Sequence, residues 1–106
     1  VSLDDRPLAT SGAILIQTMT IEQFYGFRAT GEGNRGGRIQ SVGSAPCGVE
    51  KYDVTVTVHS GGGKAESVTA CDEHGYPTDR KVQATREDGV LKIRLHEASP
   101  YHVVKR

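Results

Sequence analysis

The glycine-rich stretch at residues 31–36 has the spacing G-x-G-x-x-G, which cradles a pyrophosphate in dinucleotide-binding proteins. That chemistry requires a strand before the glycines and a helix after them, because the helix N-terminus holds the phosphates. Here Gly37, Arg38 and Ile39 follow, and they begin no helix. Residues 60–64 likewise lack the spacing of a phosphate loop. Both stretches are therefore interpreted as loops, and no cofactor is predicted.

Histidines and clustered acids are the residues of this sequence best suited to bind a metal ion. The histidines are His59, His74, His96 and His102. No two of them are spaced i, i+2 on a strand or i, i+4 on a helix, so we predict solvent-facing positions and no zinc site. The acids Asp72, Glu73 and Asp79 miss the spacing of known calcium loops and are interpreted as a solvated turn.

The sequence does not contain a recognisable catalytic constellation. None of its 13 acidic residues lies in an apolar stretch that would raise a pKa for acid catalysis. The serines lack the G-x-S-x-G nucleophile elbow. Cys47 and Cys71 are 24 residues apart, and we interpret them as buried or half-buried free thiols, with a disulfide as the alternative. We predict that this chain alone is not an enzyme.

The bulk composition excludes several classes of partner. Basic and acidic side chains balance at 13 each and no basic run occurs, so nucleic acid is not expected. No apolar stretch reaches the roughly 18 residues of a membrane helix, so no membrane partner is expected. No signal-peptide pattern begins at Val1. A length of 106 residues suits one domain, predicted over residues 1–106 and expected to be monomeric.

The elements that position any functional residue are predicted to be β-strands. Between Val49 and His59, β-branched residues alternate with polar ones, which predicts a strand with one buried face and one wet face. Seven to eight such short strands, at about ten-residue spacing, predict an all-β, two-layer antiparallel β-sandwich. Hairpins are predicted through the glycines at residues 60–64 and at Glu87-Asp88-Gly89.

The alternation along each predicted strand also indicates which side chains face the core. These are Ile14, Ile16, Phe24, Ile39, Tyr52, Val54, Val56, Val58, Val68, Ala70, Val82, Leu91, Ile93, Leu95 and Val103. Burying each large member contributes about 1.5–3 kcal/mol, enough to offset a good part of the chain entropy.

Residues 3–11 read LDDRPLATS and run into an apolar strand beginning near Ile14. This phrase resembles "LDGxPLxxS" in the C-terminal β-sandwich region of bacterial glycoside hydrolases and related secreted proteins. Three later segments also resemble that region. They are residues 43–46 (GSAP), residues 68–75 (a strand ending in a "DxxGy" turn), and residues 91–95 followed by 101–104. The chain departs from the pattern at Asp5, which replaces the turn glycine, and in the glycine-rich residues 31–37.

The resemblance implies a non-catalytic accessory domain that follows a catalytic barrel in a larger, bacterial carbohydrate-active enzyme. The catalytic acids of such enzymes lie in the barrel, so it implies no catalytic residue here. It also implies an extracellular or periplasmic parent protein, with polysaccharide or the catalytic domain as partner. Ring faces stack on the C–H faces of sugars, and the chain has no Trp, so Tyr25, Phe27 and Tyr76 are the predicted carbohydrate contacts. The alternative is a stand-alone protein-interaction module using an edge strand or an apolar patch.

Overall fold

The regular structure of the chain is β throughout the part that the computed structural model describes, residues 1–31, 37–59 and 67–106. The strands of those residues are β1 (Ala13–Gln17), β2 (Glu22–Tyr25), β3 (Arg28–Thr30), β4 (Arg38–Ser41), β5 (Ser44–Val49), β6 (Thr55–His59), β7 (Ser67–Cys71), β8 (Gln83–Glu87), β9 (Val90–Arg94) and β10 (Tyr101–Lys105). All their pairings are antiparallel. The predicted fold class is thus confirmed. The described residues hold ten strands rather than seven to eight, because β3 is only three residues long and β5 contains Pro46 and Gly48.

Contacts divide the chain into two compact units. The sandwich unit comprises residues 1–19 and 52–106, and the inserted unit comprises residues 20–51. The single domain predicted over residues 1–106 stays a prediction.

The sandwich unit contains two three-stranded sheets, ordered β1-β10-β7 and β6-β9-β8. Both sheets contribute to one apolar cluster of buried side chains. Its members are Ile14 and Val104 from the first sheet, Leu91 and Ile93 from the second, and Leu95 just after β9. Because side chains alternate along each strand, this shared cluster requires the inner faces of the two sheets to oppose each other. The predicted two-layer packing therefore describes this unit.

Most predicted core positions of the sandwich unit are buried or pack against the cluster, and the errors have physical causes. Val103 was predicted inward, but the register pairs Val104 with Ile14 and His102 with Ile16, so the inward residues are Val104 and His102. Because Val103 and Val104 are adjacent, either one could face the core in a period-two pattern, and the sequence alone does not decide between them. The prediction that His102 faces solvent is wrong for the same reason. Three other predicted core residues, Phe24, Ile39 and Val54, are exposed.

One predicted hairpin is confirmed. Glu87 lies opposite Val90, and the two residues between them, Asp88 and Gly89, have φ of 49° and 76°. Positive φ at both central positions is the geometry of a type I′ turn, whose twist matches that of the strands.

The hairpin predicted through residues 60–64 is wrong. Those residues lie outside the described part of the chain, but their flanking strands belong to different sheets: β6 pairs with β9, and β7 pairs with β10. The strand predicted from Val49 also starts later, at Thr55. Each flanking strand finds a more apolar neighbour elsewhere, because β9 and β10 supply Leu91, Ile93 and Val104 to the core.

The N-terminal segment before β1 forms a hydrogen-bonded loop around Asp4. One carboxylate oxygen of Asp4 accepts hydrogen bonds from the hydroxyls of Ser11 (2.7 Å) and Ser2 (2.8 Å), and the other accepts the Gly12 N–H at 2.7 Å. These bonds, led by that from Ser11, hold the pKa of Asp4 well below its ordinary value of 3.8. The neighbouring Asp5 has φ of 57°, a conformation that glycine adopts without strain. The motif is therefore structural.

Asp4→Asn is expected to lower the thermal unfolding midpoint at pH 7, because an amide cannot accept hydrogen bonds at both of its polar atoms. A lowered pKa in the folded state contributes stability above pH 3.8, and that contribution is lost as the pH falls further. The difference in unfolding midpoint between the variant and the wild type should therefore become smaller at acidic pH. Calorimetry at several pH values measures these midpoints. Asp5→Asn is the matched control, because Asn tolerates positive φ, and equal midpoints for the two variants would contradict the role of Asp4.

Candidate functional site

The inserted unit carries a groove of about 660 Å³ formed along β2 and β5. β2 pairs with β5, with Glu22 opposite Val49 and Phe24 opposite Cys47. The register then shifts, so that Tyr25 lies opposite Ser44. The shift leaves Ala45 and Pro46, joined by a cis peptide bond, without partners on β2. The groove is lined by Ile21, Gln23, Phe24, Tyr25, Gly26, Phe27, Pro46, Cys47, Gly48, Val49 and Glu50.

A tight turn at the end of β2 presents the aromatic residues of this groove. The N–H of Phe27 donates to the carbonyl oxygen of Phe24 at 3.1 Å, and Gly26 has φ of 78°. A positive φ at the third residue is characteristic of a type II turn and favours glycine there. Tyr25 therefore occupies a corner of the turn, where it is 78% exposed.

Gly43 holds this turn in place from the other side. A Cβ at residue 43 would lie 2.5 Å from the carbonyl oxygen of Tyr25 and 2.8 Å from the backbone nitrogen of Phe27. Its φ of 73° also disfavours any residue with a side chain. The backbone at Gly43 is thus packed directly against the turn, and a larger residue would displace Tyr25 and Phe27.

The structure groups two of the three predicted carbohydrate contacts. Tyr25 and Phe27 both line the groove, whereas Tyr76 belongs to the sandwich unit. There, the carboxylate of Asp72 accepts the N–H of His74 at 2.9 Å and of Tyr76 at 2.8 Å, which fixes an exposed turn. Phe24 also lines the groove but was not predicted as a contact, because it was assigned to the core as an inward-facing residue of a short strand. Phe24 is 50% exposed.

The groove also offers polar groups beside its aromatic rings. Gln23 and Glu50 are among the lining residues, and Cys47 is an exposed free thiol. Glu22 is the first residue of β2 and Glu50 directly follows β5. Of these two acids, Glu50 lines the groove and Glu22 does not. Among the described lining residues, Glu50 is therefore the one acid, whereas glycoside hydrolysis uses two. Within the described ranges, no group of three or more His, Cys, Asp or Glu residues is arranged to hold a metal ion.

A second constellation of chemically active residue types lies in the sandwich unit, around the segment His96–Ser99. The Tyr52 hydroxyl contacts the carbonyl oxygens of His96, at 2.8 Å, and of Ser99. Arg80 donates to the carbonyl oxygen of Ala98 at 2.7 Å and to the Ser99 hydroxyl at 3.0 Å. Ser99 is fully buried, and its hydroxyl accepts from a guanidinium rather than facing a base. These contacts tie a loop to the core, so we interpret the constellation as structural.

His102 completes this loop anchor from inside the core. Its Nε2 accepts the N–H of His96 at 2.9 Å, which requires the proton of the neutral ring to be on Nδ1. Nδ1 is buried and has no hydrogen-bond partner among the described residues. Burial lowers the pKa of His102 below its ordinary value of 6.5, and the neighbouring His96 lowers it further. Protonation would abolish the acceptor and so release the N–H of His96.

We expect acid to destabilise the fold through His102. Because its folded-state pKa is lowered, its contribution is complete above pH 6.5 and is lost as the pH falls below that value. His102→Gln should be less stable than wild type at neutral pH but should lose less stability between pH 6.5 and about pH 5. Urea titrations at several pH values measure this. The matched control is His74→Gln, whose parent side chain is 71% exposed and which should keep the wild-type slope. A wild-type slope in His102→Gln would contradict the assignment.

No helix among the described residues has the length and apolar character needed to cross a membrane. No protein-family model, curated protein or solved structure matches this chain. The resemblance to glycoside hydrolase accessory domains is carried by the quoted motifs alone and stays a prediction.

Proposed function

We propose that this chain is a non-catalytic β-sandwich module of a larger carbohydrate-active enzyme, and that it binds polysaccharide weakly through the groove of the inserted unit. The observation that carries the proposal is the turn at the end of β2, which exposes Tyr25 beside Phe24 and Phe27 in one groove. Packing of the sandwich unit on a catalytic domain is the structural half of the same proposal.

The chemistry of the groove suits a sugar chain. Aromatic rings offer apolar faces to the C–H groups of a pyranose. Gln23 and Glu50 also line the groove, and their side-chain types can hydrogen-bond to sugar hydroxyl groups. A wet groove with few aromatic anchors gives modest binding, so we expect a dissociation constant of about 0.1–1 mM, or about −5.5 to −4.1 kcal/mol.

Affinity electrophoresis on gels containing different polysaccharides tests this proposal. Wild-type protein should be retarded on at least one gel, and Tyr25→Ala and Phe27→Ala should each lose most of the retardation because the ring contacts are gone. Tyr76→Ala is the matched control, since Tyr76 is a 69% exposed tyrosine of the other unit. Unretarded wild type on every gel would end the sugar-binding proposal. If wild type and Tyr25→Ala are retarded equally, the protein binds sugar but the groove is not the binding site.

A protein-interaction module is the second candidate, and a different observation favours it. None of the described residues of the inserted unit is buried, and several large apolar side chains there are exposed. They are Ile21, Phe24, Tyr25, Ile39, Val42 and Val49. An exposed set of this kind is typical of surfaces that bind another protein.

Two substitutions outside the groove separate the candidates. Ile39 and Val42 are 57% and 65% exposed and do not line the groove. Ile39→Asp and Val42→Asp should leave polysaccharide retardation unchanged if the groove binds sugar. If wild type is retarded on no gel and instead binds a protein partner in a pull-down, and Ile39→Asp and Val42→Asp abolish that binding while Tyr25→Ala keeps it, the apolar surface is the functional one.

A further inference from the structure

Three of the four sheet edges in the sandwich unit carry a feature that discourages further strand pairing. The edge of β1 is bonded by the N-terminal residues, with Val1 and Leu15 exchanging two backbone hydrogen bonds of 2.7 Å. The edge of β7 is bridged by Pro77 opposite Cys71, and the Thr78 N–H donates to the Ala70 carbonyl oxygen. The edge of β8 ends in charged, exposed residues at positions 86–87. Covered or charged edges resist pairing with other chains.

The fourth edge, that of β6, has no such protection among the described residues. Its sequence Thr-Val-Thr-Val-His is β-branched, contains no lysine, acid or proline, and keeps a regular register with β9. Leu95 donates to the carbonyl oxygen of Val54, so the hydrogen-bonded pairs of β6 with β9 fall on the even-numbered residues. The backbone groups of Thr55, Thr57 and His59 consequently point away from β9, toward the open edge.

We propose that β6 pairs antiparallel with β6 of a second copy of this chain, joining two three-stranded sheets into one sheet of six strands. The partner is a second copy because β6 complements itself when Val56 lies opposite Val56. That register places Thr55 opposite Thr57 and Asp53 opposite His59 on the outer face. On the inner face it places Val58 opposite Val54, which is 37% exposed in a single chain.

Charge and apolar contacts both favour this register. The Asp53 carboxylate, which already accepts two hydrogen bonds of 3.1 Å from Arg94, faces an imidazole that can donate to it. The two-fold axis repeats this pair, so the dimer contains it twice. A groove of about 520 Å³ also runs beside the β6 edge, with Leu8, Ile16 and Val58 in its wall. The added strand brings Val56 of the second copy toward this groove.

This inference differs from the monomer expected from the sequence, and it is independent of sugar binding. Sedimentation equilibrium on the wild-type chain, up to a concentration of about 1 mM, should show a monomer–dimer equilibrium. Amide hydrogen exchange should slow at Thr55, Thr57 and His59 as concentration rises. It should not change at Ala84 or Arg86, which point outward from β8 by the same alternation. A monomer throughout this range overturns the inference.

Proline substitution locates the interface. Thr57→Pro removes an N–H that points to the open edge and leaves the bonds to β9 intact, so the chain should fold while the dimer weakens by about tenfold or more. Ala84→Pro makes the matched change on the β8 edge and should leave dimerisation unchanged. His59→Asp places two carboxylates opposite each other and should also weaken the dimer without a backbone change. A dimer of undiminished affinity in both Thr57→Pro and His59→Asp overturns the proposed register.

Discussion

The structure of the sandwich unit depends on a single apolar cluster shared by two small sheets. A single layer of strands cannot cover its own apolar face, so each three-stranded sheet needs the other to bury it. Ile93 and Val104 are fully buried, and they come from the central strands β9 and β10 of opposite sheets. Removing either side of that contact would expose the other. The edge strands, the N-terminal loop and the anchored loop at His96–Ser99 are all arranged around this centre.

The sequence was informative wherever one local rule decided the structure. The alternation of Leu91 and Ile93 identified a half-buried strand, and Asp88-Gly89 identified the turn before it, because positive φ at two successive residues needs that chemistry. It failed where two local solutions were equivalent. The adjacent valines at 103 and 104 fit either face, and only pairing with Ile14 of a distant strand selects Val104. The partner of β6 is likewise a long-range choice, so nearness in sequence to β7 was misleading.

The candidate site was predictable in part for the same reason. Tyr25 and Phe27 were predicted to contact carbohydrate because they are aromatic residues not assigned to the core, and both line one groove, where Tyr25 is exposed and Phe27 is half-buried. Their contact with carbohydrate stays a prediction. Phe24 was missed because an apolar residue in a short strand resembles a core residue. The sequence alone does not show whether another layer covers that strand. The role of Gly43 could not be predicted either, since it depends on a turn 18 residues earlier in the chain, where a Cβ at residue 43 would lie 2.5 Å from the carbonyl oxygen of Tyr25.

Polar groups are used differently in the two units. In the sandwich unit, the residues best equipped for proton transfer or nucleophilic attack, His102 and Ser99, are fully buried, and their hydrogen bonds hold a loop in place. A buried group engaged in this way cannot reach a substrate without breaking the contacts that stabilise the fold. The groove of the inserted unit is lined by aromatic and polar residues, with Glu50 as the one acid among the described lining residues. Residues of these types can hold a ligand by stacking and hydrogen bonding.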